Sequence, residues 1–182
     1  MQQTILIPID GTESVEETLL YVRSISPRET THVVLVHVTS DVNSAAASVD
    51  FEPNVNTIYD TLSKDGWSVV RESRMGDPVR EIIKLAILLP ASIIVMSTHG
   101  RSGLERIREG SVTEQVLKQS PCPVFILHST RPEPADQRTD DLFKRILVPL
   151  DGSDASSAIL GCVERFAKMH DAEVVLFHDE LE

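Results

Sequence analysis

A short apolar run, a glycine-bearing loop and the start of a helix follow one another between Ser92 and Thr113. The apolar run, Ile93 to Met96, is too short for a helix and is typical of a strand buried on both faces of a parallel sheet. Glycines let a backbone approach an anion closely, and the N–H groups at a helix N-terminus attract it. The stretch therefore predicts a cradle for a phosphate chain, with its glycines at Gly100, Gly103 and Gly110.

Apolar runs alternate with helical patterns along the first 128 residues. The predicted strands cover Thr4–Ile9, Val33–Val38, Trp67–Glu72, Ile93–Met96 and Pro123–Leu127. Helices are predicted after Ser14, through Tyr59 and Leu62, after Asp77-Pro78, and from about Ser111 to Gln119. This alternation predicts an α/β fold: a five-stranded, parallel, doubly wound (Rossmann-like) sheet.

Polar residues follow the first and fourth predicted strands, at Asp10 and in the segment from Ser97 to Gly103. In doubly wound sheets, ligands bind at the carboxyl ends of the two strands where the strand order reverses. We therefore expect the first and fourth strands to be neighbours and to flank the site. The third strand, which is mixed in polarity, and the fifth are expected at the edges.

After a polar, proline-bearing linker over residues 131–142, the chain repeats itself. The segment Arg145–Asp154 matches Thr4–Glu13 at an offset of 141 positions, and Val174–His178 matches Val33–His37 at the same offset. The predicted organisation is one domain over residues 1–130, the linker, and a partial second copy (β-α-β) over residues 143–182. That copy lacks the glycine loop, so the chain is either a fragment of a tandem protein or carries a half copy that packs on the first domain or another subunit.

The composition of the chain limits the classes of partner that it is expected to bind. A formal net charge of −11 disfavours an extended nucleic-acid surface, although Arg101, Arg106 and Arg108 form a local cationic cluster in the loop. Apolar runs stay well below the roughly 20 residues that cross a bilayer, so no membrane association is expected. The two cysteines, Cys122 and Cys162, form no metal-binding motif. A cytoplasmic protein without a metal site is the expectation.

Three segments carry a family resemblance: ILIPIDGT near the start, MSTHGRSGL, and EGSVTEQVLKQSPCPVFIL. They resemble the universal stress protein family, whose Rossmann-like fold binds adenine nucleotides, over residues 1 to about 128 and again over 143–179. ATP-binding members carry a glycine, two residues, a second glycine, nine residues, and then glycine with serine or threonine. Here Gly100, Arg101–Glu109 and Gly110-Ser111 match that pattern, and Ser97 stands at its first position.

The resemblance implies a site for ATP, ADP or AMP, with or without Mg²⁺, and it implies a contact for each matching residue. The adenine and ribose end would be lined by Pro8, Asp10 and Val38, and the ribose and phosphates would lie over Met96, Ser97 and Gly100. The phosphates would be held by Gly110, Ser111, Val112 and Thr113, with Arg101 and Gly103 in the same loop. A homodimer through the fifth strand is also implied, by Val124, Phe125, Ile126 and Leu127.

Each candidate also has a structural interpretation. The glycines could be turn residues, Asp10 could cap the turn before the first helix, and Ser111 could be a helix N-cap. His99 has no nucleophile or carboxylate spaced with it, so a solvated or packed loop histidine is favoured over an acid or base. His37 and His178 end apolar strands and are interpreted as structural.

Three functional hypotheses follow. The first is a dimeric stress-response protein that binds ATP with little or no turnover, because the sequence has no Walker lysine and no arranged base. The second is a nucleotide-free interaction module, favoured by Ser97 and the charged Leu104–Glu109 segment. The third, an adenylating enzyme, would need catalytic residues that the sequence does not offer.

Overall fold

The computed structural model describes residues 2–10, 14–39, 53–98, 112–128 and 143–178. The chain divides into two compact units, residues 1–131 and 132–182. Of the helices in the described residues, none combines the length and apolar character that crossing a bilayer requires.

The first unit is built on a five-stranded sheet in the order β3-β2-β1-β4-β5, and every neighbouring pair is parallel. The strands are β1 (Gln3–Pro8), β2 (Thr31–Thr39), β3 (Ser68–Met75), β4 (Ile93–Thr98) and β5 (Val124–His128). The order reverses between β1 and β4. The predicted fold class, the predicted switch point and both predicted edge strands are therefore confirmed.

Among the described residues, four helices and one 3-10 turn connect these strands: α1 (Val15–Ile25), the turn Arg28–Thr30, α2 (Pro53–Lys64), α3 (Pro78–Leu88) and α4 (Val112–Gln119). The predicted N-caps of α1 and α3 are confirmed, since the Ser14 hydroxyl accepts from the Glu17 amide and the Asp77 carboxylate from the Arg80 amide. Pro78 fits the first turn of α3, where a helix needs no N–H donor.

One face of the sheet packs under α3 and α4. Its buried residues alternate along the strands, as a strand's period of two requires. They are Leu6, Val34, Val36, Ile94 and Met96, which form one cluster with Val79, Ile82, Leu85 and Ala86 of α3 and Val116 of α4. The intervening residues Ile5, Ile7, Val33 and Leu35 are also buried. The central strands are thus buried on both faces, which is why they read as unbroken apolar runs.

The predicted limits of β3 were wrong at both ends. The strand begins at Ser68 rather than Trp67 and continues three residues beyond Glu72, to Met75. Those additional residues pair in register with His37, Val38 and Thr39 of β2. A solvent-facing edge tolerates the polar sequence Ser73-Arg74 within a strand, so hydrophobicity does not mark its end.

The second unit pairs β6 (Arg145–Leu150) with β7 (Glu173–His178) in parallel, connected by α5 (Asp154–Ser157) and α6 (Leu160–His170). A single helix was predicted here. The break is slight, because the junction residues Ala158 and Ile159 both keep right-handed helical backbone. The register repeats that of β1 and β2: Ile5 pairs with Val33, and Ile146 with Val174.

Candidate functional site

A cleft of about 200 Å³ opens at the carboxyl ends of β1, β2 and β4, where the strand order reverses. Chain connections leave β1 and β4 in opposite directions at such a point, which leaves a crevice above the sheet. The cleft is lined by Pro8, Ile9, Asp10, Val36, Val38, Pro78, Ile82, Met96, Ser97, Val112 and Thr113.

The cleft brings together candidate residues from four separate segments of the sequence. Those among the described residues all line it: Pro8, Asp10, Val38, Met96, Ser97, Val112 and Thr113. The remaining candidates lie outside the described residues: Gly100, Arg101, Gly103, Gly110 and Ser111. His99 also lies outside them. Residues separated by more than a hundred positions are thus neighbours here, as the switch-point argument predicts.

Four lining residues were not predicted: Ile9, Val36, Pro78 and Ile82. Val36 lies two residues before Val38 on the same strand face, so the period of two could have identified it. In the sequence, Pro78 marked only the start of a predicted helix, and Ile82 had no predicted role in the site. Pro78 and Ile82 border the cleft because of the way α3 packs across β2, and the sequence does not show that packing.

The end of β1 is fixed to β2 by two hydrogen bonds at Ile9. Its amide donates to the carbonyl of Val36 over 2.8 Å, and its carbonyl accepts from Nδ1 of His37 over 3.0 Å. The next residue, Asp10, is exposed at the mouth of the cleft. Both bonds join Ile9 to β2, so the backbone immediately before Asp10 is held against that strand. His37 has a structural role, as the sequence predicted.

The lining has an apolar part and a polar part. Val36, Ile82 and Met96 are buried, and they form an apolar surface against which a flat ring could pack. Ser97 of β4 and Thr113 of α4 are half-buried, and these two hydroxyl-bearing residues belong to the polar part of the lining. Val112 and Thr113 begin α4, so the backbone N–H groups of that first turn stand at the cleft. Such an arrangement suits a ligand with a flat ring at one end and a negative charge at the other.

Among the described lining residues, Asp10 is the one with an acidic side chain. Across the described parts of the chain, no three His, Cys, Asp or Glu side chains come together as a metal-binding group. The described lining thus offers one carboxylate, suited to accepting a hydrogen bond from a ligand hydroxyl.

Cys122 has a partly buried, free thiol. Burial raises the pKa of its Sγ group, so the neutral thiol is favoured over the nucleophilic thiolate. The neighbouring Ser120 hydroxyl donates to the Cys122 carbonyl over 2.6 Å and forms the turn before β5.

Comparison with known proteins identifies the family. The model of the universal stress protein family matches residues 1–128. Universal stress protein MJ0531 of Methanocaldococcus jannaschii is 30% identical over 148 residues, which cover 73% of this chain and 86% of the relative. The chain belongs to the universal stress protein family.

Solved structures of the family share this architecture. Protein MJ0577, from Methanocaldococcus jannaschii, aligns with a TM-score of 0.59 and 28% identity over 72% of this chain and 99% of its own length. A universal stress protein solved in complex with cAMP aligns with a TM-score of 0.56 and 20% identity over 71% of this chain and 98% of its own. The family resemblance over residues 1–128 is confirmed, whereas the second copy over residues 143–182 stays a prediction.

Proposed function

We propose that this universal stress protein binds an adenine nucleotide in the cleft between β1 and β4. The adenine would pack on the apolar side formed by Val36, Val38 and Ile82, and the Asp10 carboxylate would accept a hydrogen bond from the ribose. The phosphates would lie at the N-terminus of α4, with the Gly100–Ser111 loop completing the cradle. The observation that carries the proposal is the convergence of seven sequence-predicted residues on one cleft at the switch point.

The fold neighbour that binds cAMP supports the proposal in one respect. It shows that a sheet of this topology can accommodate an adenine nucleotide. The choice of ATP, ADP or AMP, and any Mg²⁺, comes from the glycine pattern after β4 and remains part of the proposal. So does the cytoplasmic setting, which rests on the sequence composition.

The proposed role is regulatory. A nucleotide that binds one conformation or assembly more tightly than another shifts the protein toward that state by its differential affinity. Rapid hydrolysis is not part of the role, because the described lining offers one carboxylate rather than a base paired with a metal-binding set. Steady phosphate release that a Thr113 substitution abolishes would contradict this part.

Thermal unfolding tests the proposal. A ligand present at 100 times its dissociation constant adds about 2.7 kcal/mol to the free energy of unfolding when it binds the folded state alone. Millimolar Mg-ATP should therefore raise the midpoint of unfolding, and Mg²⁺ with CTP should raise it less. An identical midpoint with and without ATP would contradict nucleotide binding.

The edge strand β5 favours a second candidate function, a dimeric interaction module without nucleotide. It pairs with β4 along one side, and Ile126 in its middle is 38% exposed. An apolar edge strand can pair with another chain. Sedimentation in the absence of nucleotide separates the candidates: a dimer that ignores ATP, together with an unchanged unfolding midpoint, would favour the interaction module.

We also propose that residues 143–182 are the first part of a second copy of the same domain. Beyond the sequence offset, the support is a repeated hydrogen bond: Nδ1 of His178 donates to the carbonyl of Leu150 over 2.9 Å, as His37 does to Ile9. In the equivalent strand of this unit, Val174, Val175, Leu176 and Phe177 are all exposed. A two-stranded sheet is marginal alone, which is consistent with an incomplete copy.

A further inference from the structure

The strand β7 is apolar in sequence and exposed in the structure. It matches part of β2 at the offset of 141 positions. The equivalent residues of β2, Val33–Val36, are at most 1% exposed and lie between β1 and β3. In β7 the corresponding residues are 36% to 58% exposed: Val174, Val175, Leu176 and Phe177. A pattern that forms core in the first unit therefore forms surface in the second.

One side of β7 is an open strand edge. On its other side β7 pairs with β6, and the amide of Glu173 donates to the carbonyl of Lys144 over 2.9 Å. Alternate residues of a strand direct their backbone N–H and C=O groups to opposite sides. Val174, Leu176 and His178 therefore direct these groups to the open edge, where the part of the chain that the structure describes supplies no strand.

The open edge of β7 lacks the protection that two other edge strands have. β3, an edge of the first sheet, carries three charged side chains, and β6, the other edge of the second sheet, carries Arg145 and Pro149. Charged residues and proline on an edge strand discourage pairing with a further chain. Between Val174 and Phe177, β7 has neither. An apolar edge of this kind is a template for another strand.

The edge of β7 is complementary to itself. In an antiparallel pair related by a two-fold axis, the residue at the axis lies opposite its own copy. An axis at Leu176 sets Leu176 against Leu176 of the second copy and Val174 against His178. These are the residues whose backbone groups point outward, so each pair can exchange two hydrogen bonds. Val175 then lies opposite Phe177, and a β-branched residue beside an aromatic one is a favourable cross-strand pair.

We propose that β7 pairs antiparallel with β7 of a second copy of this chain, with Leu176 on the two-fold axis. An axis at Val175 is disfavoured because it sets the Glu173 carboxylate opposite the ring of Phe177. Pairing joins two sheets of two strands into one sheet of four, and a sheet needs three or more strands for independent stability in water. Both copies lose their open apolar edge in one closed assembly. The pairing does not depend on nucleotide binding.

Sedimentation velocity of the full chain tests the pairing. All chains compared carry Ile126→Lys, so that the apolar edge of β5 does not contribute. We expect this chain to be a dimer. Adding Leu176→Lys should convert it to a monomer, because two lysines would lie opposite one another at the axis. The contribution of β5 is measured in turn with Leu176→Lys present, which keeps the two interfaces separate.

Leu147→Lys is the matched control for Leu176→Lys. Leu147 lies on β6 and is 64% exposed, and Leu176 is 58% exposed. The two substitutions therefore add the same charge at similarly exposed leucines, but Leu147 is not on the edge strand that pairs. Leu147→Lys should leave the dimer intact.

Disulfide formation tests the register. The native Cys122 and Cys162, which are free thiols, are first replaced by alanine. In a hydrogen-bonded antiparallel pair the opposite Cα atoms are about 5.5 Å apart, within the span of a disulfide. Leu176→Cys should therefore form an interchain disulfide under mild oxidation. Val175→Cys should not, because its two copies would lie diagonally at roughly 7–8 Å, but it should bridge to Phe177→Cys when the two variants are mixed.

A monomeric Ile126→Lys chain overturns the proposal, and so does a dimer that Leu176→Lys leaves intact. A disulfide formed by Val175→Cys and not by Leu176→Cys overturns the axis at Leu176. Because Leu176 is a surface residue, its variants are expected to fold, and an unchanged circular dichroism spectrum checks that they do.

Discussion

Nδ1 of His37 lies 3.0 Å from the carbonyl oxygen of Ile9. A carbonyl oxygen can only accept, so Nδ1 carries the proton and His37 donates. The bond joins Ile9, the residue between β1 and Asp10, to the neighbouring strand β2. It therefore holds one wall of the cleft in place. The equivalent pair in the second unit, His178 and Leu150, makes the same bond.

Replacing His37 should weaken both the fold and the site. His37→Ala removes one hydrogen bond, which should lower the free energy of unfolding by about 1 kcal/mol, and it should also weaken nucleotide binding because Asp10 loses its fixed position. Chemical denaturation and calorimetry measure the two effects. His32→Ala is the control: His32 bonds Ser68 over 2.8 Å at the opposite end of β2, so it should affect stability alone. Nucleotide affinity unchanged in His37→Ala would contradict the positioning role.

A negative charge at the start of α4 should separate helix stability from phosphate binding. Thr113→Asp places a carboxylate in the first turn, where the helix dipole stabilises it by about 0.3–1 kcal/mol. The same carboxylate repels a polyphosphate, so ATP affinity should fall about tenfold or more. Thr113→Asn introduces a side chain of nearly the same shape as aspartate but without its charge, and it should retain most of the affinity for ATP. Equal ATP binding by the two variants would show that the phosphates do not lie at α4.

The two edges of the sheet should differ in their effect on assembly. Ile126 of β5 and Val70 of β3 are 38% and 37% exposed, which makes them a matched pair on opposite edge strands. Ile126→Lys should abolish the proposed homodimer, because a charge on an edge strand blocks pairing with another chain. Val70→Lys should leave it unchanged. Sedimentation velocity measures both, and a dimer insensitive to Ile126→Lys would exclude the β5 interface.

Asp151, which stands 141 positions after Asp10, should titrate unusually low. Hydrogen bonds from the Ser153 side chain, then from Ser156, and then from the Ser153 amide hold the pKa of Asp151 well below its ordinary value of 3.8. A pKa lowered by folding means that the ionised carboxylate stabilises the second unit above pH 3.8, and that this contribution is lost as the pH falls through the folded pKa.

Carboxyl-carbon NMR titration checks the cause of that shift. Ser153→Ala should raise the pKa of Asp151 toward 3.8, whereas Ser157→Ala, outside this set of bonds, should not. A wild-type Asp151 that titrates at its ordinary value would contradict the described turn.

The sequence alone was enough to predict the structural features that depend on local chemistry. Ser14 and Asp77-Pro78 predicted two helix starts because capping needs specific side chains at fixed spacing. The apolar runs predicted buried parallel strands, and the polar residues that follow β1 and β4 indicated their adjacency. Family membership over residues 1–128 was also predicted correctly.

What the sequence could not show depends on packing across the sheet. Pro78 and Ile82 line the cleft because α3 crosses above β2, and no local pattern distinguishes that role from ordinary helix burial. The end of β3 was missed for a related reason, since pairing with β2 rather than hydrophobicity extends the strand to Met75.

Equilibrium dialysis of labelled ATP against the purified chain tests the central claim most directly. The first unit contains the cleft and the glycine loop, and the second has neither that loop nor a counterpart of α4 in its sequence. We therefore predict saturable uptake of one ATP per chain, reduced at least tenfold in affinity by Thr113→Asp. No uptake at millimolar ATP, or uptake that Thr113→Asp leaves unchanged, would contradict the nucleotide site at the switch point.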